Sequence, residues 1–261
     1  MKPSPNPANL PTIDNTLVLD PASVTEFTMR TGFRKTHIPL LKTIVLGILA
    51  GVYVCFGCQT MIAILVDTGS TGPAKLLGGA FFAIALMTII HCGAELFTGN
   101  VLILLAVLAR RVFVWEYIFN LILVYFLNFA GSILFAIIFW GSGVNGFEGS
   151  YTAAGTILCS VSKSKSLLPE YQAFLRGIGA NMCVCFAILM SYASKTPSGK
   201  MLSCVFPIAA FVAMGFEHSI ANMYFYSAAT LLRCPGVTQR HMWGELFLCT
   251  AGNIVGAMFL A

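Results

Sequence analysis

Gly93-Ala94-Glu95-Leu96-Phe97-Thr98-Gly99-Asn100 lies inside an apolar run, 76–109, that is too long to be one membrane helix. As a straight helix the run would measure about 50 Å, against a hydrocarbon core of about 30 Å. Glu95 and His91 are its polar exceptions, and Gly93 and Gly99 bracket the acid, so it reads as a broken span with a loop at 94–99. A second overlong run, 201–232, again sets an acid beside a His, in Gly215-Phe216-Glu217-His218-Ser219-Ile220-Ala221-Asn222. Both stretches fit Gly-x-Glu-x-x-x-x-Asn, and the second is read as broken too.

Four unbroken apolar runs surround them, at 40–66, 113–140, 171–192 and 242–261. Trp115, Tyr117 and Trp140 mark the ends of the second of these, where an aromatic belt belongs. The halves repeat. Val54-Cys55-Phe56 matches Val184-Cys185-Phe186, and Asn128-x-x-Gly131 matches Asn253-x-x-Gly256, at offsets between 122 and 130 residues. Three spans per half is an odd number, so the copies face opposite ways across the bilayer. The expected fold is therefore an all-α polytopic membrane protein of six transmembrane helices. Two inverted three-helix repeats (40–140 and 171–261) would place a site near the midplane, where the broken second and fifth helices meet. Gly47-x-x-x-Gly51 and Gly252-x-x-x-Gly256 predict close helix packing.

Composition agrees. Of 261 residues, 57% are hydrophobic and 10% charged, so a water-facing surface cannot be assembled and lipid must cover part of the chain. The net charge of +5 is too low and too scattered for nucleic-acid binding. Most of the nine cysteines sit in apolar runs, as small hydrophobes. Cys55-x-x-Cys58 has no second pair or His at zinc spacing, so no metal or cofactor is expected. No secretory signal precedes the spans.

Residues 1–20 read as a mobile Pro- and Asn-rich tail. Asp20-Pro21 opens a helix over 21–37, with the single membrane domain at 38–261. That helix is either interfacial, with Arg30, Arg34 and Lys35 toward headgroups, or a solvated lead-in. Nine of the fifteen basic residues fall on the N-terminal side, which predicts a cytoplasmic N-terminus in a plasma or bacterial inner membrane. The chain stops at the end of its last span, which suggests that a C-terminal tail is missing.

These motifs, with Gly179-Ala180-Asn181-Met182-Cys183-Val184-Cys185 between them, resemble the formate/nitrite transporter family over residues 21–261. The resemblance implies a homopentamer with one pore per protomer, passing small monovalent anions such as formate, nitrite, lactate, acetate or hydrosulfide, in an aquaporin-like fold. Neither break carries the Asn-Pro-Ala triplet of water channels. By similarity, His218 sits at mid-pore opposite Thr98, and Asn181 and Asn222 are polar neighbours. Phe82, Leu86, Leu96, Phe97, Val184 and Phe211 supply apolar constrictions, and Lys165 lies at a vestibule. His91 departs from the family, so a proton path through His218 alone is not assured.

An ionisable group inside a span is expensive and presumptively functional. Glu95 and Glu217 fit better as acceptors for backbone N–H groups freed at the helix breaks, and Thr98 as a cap that also faces the anion. Forcing a bare anion through an apolar constriction costs tens of kcal/mol, whereas protonating a carboxylate of pKa near 4 at pH 7 costs about 4 kcal/mol. Crossing as the neutral acid is the expected mechanism. The rivals are a neutral-solute channel (water, glycerol, ammonia) and a membrane redox enzyme, for which no cofactor motif exists.

Overall fold

The computed structural model describes residues 17–261; 1–16, most of the expected tail, lie outside the described residues. Leu17–Leu19, also assigned to that tail, instead pair with the linker at 193–195: Leu19 N donates to Ala193 O (2.8 Å) and Lys195 N to Leu17 O (3.1 Å).

Helix α1 (Pro21–Thr36) starts where Asp20 accepts from Ser23 N, with proline in its first turn. Val24, Thr28, Thr31 and Gly32 are buried, with Gly32 against Ile103 and Ala106. Arg111 and Arg30 both donate to Glu26, fastening α1 to the chain that follows the second span. Those hydrogen bonds hold the Glu26 carboxyl down at about 2. A depressed carboxylate stabilises above its ordinary value and loses that contribution as pH falls through the folded value. Protection of α1 amides, taken relative to their intrinsic exchange rate at each pH, should therefore be unchanged from pH 8 to 5 and fall only between about pH 4.5 and 2. Glu26→Gln should show the lower protection throughout.

The first half continues with α2 (Leu40–Thr68), then α3 (Gly72–Phe82) and α4 (Ile84–Thr88), which runs into a π-helical turn Ile89–Gly93. After the break come α5 (Phe97–Asn100), a 3-10 turn Val101–Ile103, α6 (Leu104–Leu108) and α7 (Val114–Gly141). The second half holds α8 (Ala153–Ser166), α9 (Glu170–Ala193), α10 (Pro197–Ala213), α11 (Ser219–Leu232) and α12 (Gln239–Met258). Four segments are each long and apolar enough to cross a membrane: Leu40–Thr68, Gly72–Gly93, Val114–Gly141 and Glu170–Ala193. The fifth crossing is divided between α10 and α11, and α12 carries Glu245 and Asn253 inward, so neither stands out by hydropathy.

The connection 141–169 is not the plain Gly/Ser loop its composition suggests. A two-stranded hairpin (β1 Gly146–Phe147, β2 Ser150–Tyr151) leads into α8, whose buried side is mostly small residues, Gly155, Cys159, Ser162 and Ser166, around a single Leu158. Cys159 of α8 is disulfide-bonded to Cys234, just after α11.

The predicted close packing occurs. A Cβ on Gly51 would fall 2.1 Å from Asn128 O, and one on Gly252 2.1 Å from Phe174 O. Because the obstacle is backbone, Gly252→Ala must push α12 off α9. We expect it to cost about 1–3 kcal/mol, read as a lower thermal midpoint of the detergent-solubilised protein.

Candidate functional site

Each break turns on a glycine with positive φ, Gly93 (+81°) and Gly215 (+69°), a region in which a side chain is strained. The freed backbone groups are satisfied identically in both halves. Asn128 Oδ1 accepts from Phe97 N (2.9 Å), while its Nδ2 donates to Gly47 O (2.8 Å) and Glu95 O (2.9 Å). Asn253 Oδ1 accepts from Ser219 N (2.8 Å), and its Nδ2 donates to Gly177 O (2.8 Å) and Glu217 O (2.9 Å). The expectation that Glu95 and Glu217 hold these N–H groups is therefore corrected. Two asparagines do so, and only their recurrence in the matched third and sixth spans hinted at it.

The glutamates face lysines instead. Lys35 Nζ donates to Glu95 Oε2 and Asn100 Oδ1, both at 2.9 Å, and Asn100 Nδ2 donates to Glu95 (2.8 Å) and to Asn120 Oδ1 (2.9 Å). Lys165 Nζ donates to Glu217 Oε2 at 2.6 Å, and Asn222 Nδ2 donates to Glu217 and to Glu245 Oε1, each at 2.9 Å. Lys35 does not reach for headgroups, and Lys165 is a buried ion-pair partner, not a free vestibule charge: their side chains are 18% and 15% exposed. The signal was present in sequence. Lys-x-x-x-Pro precedes both α2 and α9 at the same offset, at Lys35/Pro39 and Lys165/Pro169.

Asn181 ties the breaks together, donating to Thr98 O (3.2 Å) and Asn253 O (2.6 Å). Thr98 is not a cap, since α5 begins at Phe97 with extended Leu96 before it. Its hydroxyl meets His218 Nε2 at 3.0 Å. His218 begins α11, and Ala221 N donates to its Nδ1 (3.2 Å). That bond makes Nδ1 the acceptor, so a neutral ring carries its proton on Nε2 and presents it to Thr98 Oγ1. Thr98 then keeps its own O–H to donate elsewhere.

His218 lines a cavity of about 20 Å³ with Phe82, Leu86, Leu96, Val184 and Phe211, together with Val54, Ala85, Ile89 and Ile208. This is room for about one water-sized species. Phe211 stacks on His218 (6.2 Å between centroids) and meets Phe82 edge-on (5.7 Å). Phe97 is not among the lining residues; it packs on Tyr125, at 4.9 Å. Leu86, Ile89 and Leu96 also floor a much larger cavity, about 600 Å³, on the α1 side. Arg34, Lys35, His37, Lys42 and Glu95 stand on its walls, which makes the lining predominantly basic. His91 is exposed, bonded to Met87 O (2.9 Å), and lines neither cavity. Cys55 and Cys58 are free buried thiols. The Cys159–Cys234 pair, 75 residues apart, had no sequence signal.

An all-helical membrane fold whose two helix breaks meet at one narrow, mostly apolar path defines a channel or transporter for small solutes. Residues 22–261 match the formate/nitrite transporter family. The chain is 37% identical over 252 residues to the probable formate transporter of Methanothermobacter thermautotrophicus, covering 87% of this chain and 89% of that relative. It is 35% identical over 222 residues to the formate channel FocA of Escherichia coli K12, covering 83% and 76%. Among solved structures it resembles an FNT family ion channel, with a TM-score of 0.84, 27% identity and coverage of 91% and 96%. A pentameric formate channel with formate bound gives 0.73, with 26% identity and coverage of 84% and 94%. The chain belongs to the formate/nitrite transporter family, multi-pass membrane channels and transporters that are not enzymes.

Proposed function

We propose that this protein passes formate and similar weak-acid anions across the membrane as a homopentamer, each protomer using its own path, with the acid crossing in neutral form. The observation that carries the reading is His218, the polar residue lining an otherwise apolar cavity, with Thr98 Oγ1 against its Nε2 at 3.0 Å. Anions collect in the vestibule beside Arg34 and Lys42, take a proton from water there, and pass Leu86 and Leu96 as the acid. Thr98 and His218 replace lost hydration by hydrogen bonding. His218 acts as a stabiliser, because giving up the Nε2 proton of a neutral ring would leave an imidazolate. Asn181, Asn222, Glu95 and Glu217 hold the two breaks in place.

The basic bias toward the α1 side supports a cytoplasmic N-terminus. So does the Cys159–Cys234 disulfide on the opposite side, since disulfides persist in oxidising compartments. Formate, nitrite, lactate and glycerol fluxes into proteoliposomes test the substrate class. Formate should move fastest, and glycerol moving as fast would favour the neutral-solute alternative. Lys42→Ala should raise the half-saturation for formate at low salt, by an amount that shrinks at high salt. An unchanged value would take Lys42 out of the vestibule's role.

A further inference from the structure

The two halves build the same buried cluster except at one position. In the first, Lys35 and Glu95 balance, and the amides of Asn100 and Asn120 complete it. In the second, Lys165 faces Glu217, but the place of Asn120 is taken by Glu245, 4% exposed, which accepts from Asn222 Nδ2 (2.9 Å) and from the Tyr226 hydroxyl (2.7 Å). One lysine now confronts two carboxylates. We propose that Glu217 and Glu245 hold one proton between them, a proton-binding site apart from the Thr98–His218 contact.

A second, separate observation sits in the same cluster. Asn222 is completely buried and its Oδ1 has no partner, whereas the matching Asn100 Oδ1 takes a hydrogen bond from Lys35. An acceptor beside two carboxylates is left open to a proton-bearing group or water. The other groups facing the pair are Lys165 from α8, Tyr226 from α11 and Cys249 from α12, whose sulfur is 3.8 Å from Asn222 Nδ2. Tyr125 of α7 is bonded to Thr250 (3.1 Å), and His218 is next to Glu217. Arg176 of α9 also lies at this break, but its guanidinium donates to Gly215 O (3.4 Å) and Gln172 Oε1 (3.1 Å) and to neither carboxylate. Among the described residues Lys165 is the cation paired with the two acids. A buried, uncompensated carboxylate is costly, and taking up a proton removes that charge. Tyr226 suits both states, because its hydroxyl donates to the charged carboxylate and accepts from the neutral one. Unloading the proton places a net negative charge within a turn of His218, where it repels an incoming anion.

Infrared spectroscopy of purified protein, with and without ¹³C-labelled glutamate, reads the proton directly and needs no transport. A neutral-carboxyl C=O band that shifts with the label is expected at about pH 7 and should vanish in Glu245→Gln. If that variant fails to assemble, Glu245→Asn, which copies Asn120, serves the same test. Absence of the labelled band, or its persistence at full size in the variant, overturns the proposal. Either result leaves the reading of formate transport untouched.

Discussion

His218→Phe should abolish most formate flux while the protein still assembles. Phenylalanine keeps a ring of similar breadth in the cavity of about 20 Å³ and still packs on Phe211. It removes the Nε2–H that meets Thr98 and the Nδ1 acceptor that begins α11. The loss of that cap costs about 1 kcal/mol, which a fold of this size tolerates. The buried Thr98 hydroxyl also loses its partner, a further cost of about 1–3 kcal/mol, but a solute in the cavity loses its polar contact altogether, so activity should fall far more than stability. A fall of at least tenfold in proteoliposome flux, with a modestly lowered thermal midpoint, is the expected pattern. His218→Asn should retain part of the flux, because a donor remains. Wild-type flux through His218→Phe would make His218 a structural residue.

Lys35→Met should fail differently, in the fold. It strands the Glu95 carboxylate, 4% exposed, with only Asn100 donating to it. Breaking a buried pair by removing one partner costs about 3–5 kcal/mol, most of it from the charge left behind. Assembly and thermal midpoint should fall sharply, and Glu95→Gln added to Lys35→Met should recover more than half of the loss. If the single change leaves the midpoint unaltered, the ion pair does not hold the first break in place.

The outline of this fold was legible because its strongest features are periodic or repeated. Overlong apolar runs expose broken helices, and the recurrence of Gly-x-Glu-x-x-x-x-Asn exposes the inversion. What stayed hidden depends on long-range pairing. Lys35 meets Glu95 across 60 residues and Lys165 meets Glu217 across 52. The one mark either lysine carried was the recurrence of Lys-x-x-x-Pro before α2 and α9, which pairs the two lysines with each other but names no acid for them. Helix α8 was masked by its own packing, since the glycine and serines that let it approach the bundle are the residues that mark loops elsewhere. Phe97 illustrates the reverse error. It sits within the break, but the turn sends its ring toward Tyr125 and away from the path.

The central claim, that the acid crosses uncharged, is tested by comparing formate with nitrate, a strong-acid anion of similar size, under equal anion gradients. Between pH 7 and 5 the neutral fraction of formate grows about tenfold per unit, and that of nitrate stays negligible. Formate flux should therefore climb steeply as pH falls, while nitrate flux stays low and flat. Equal fluxes of the two ions, with no dependence on pH, would mean that bare anions pass Leu86, Leu96 and His218, and would contradict the account.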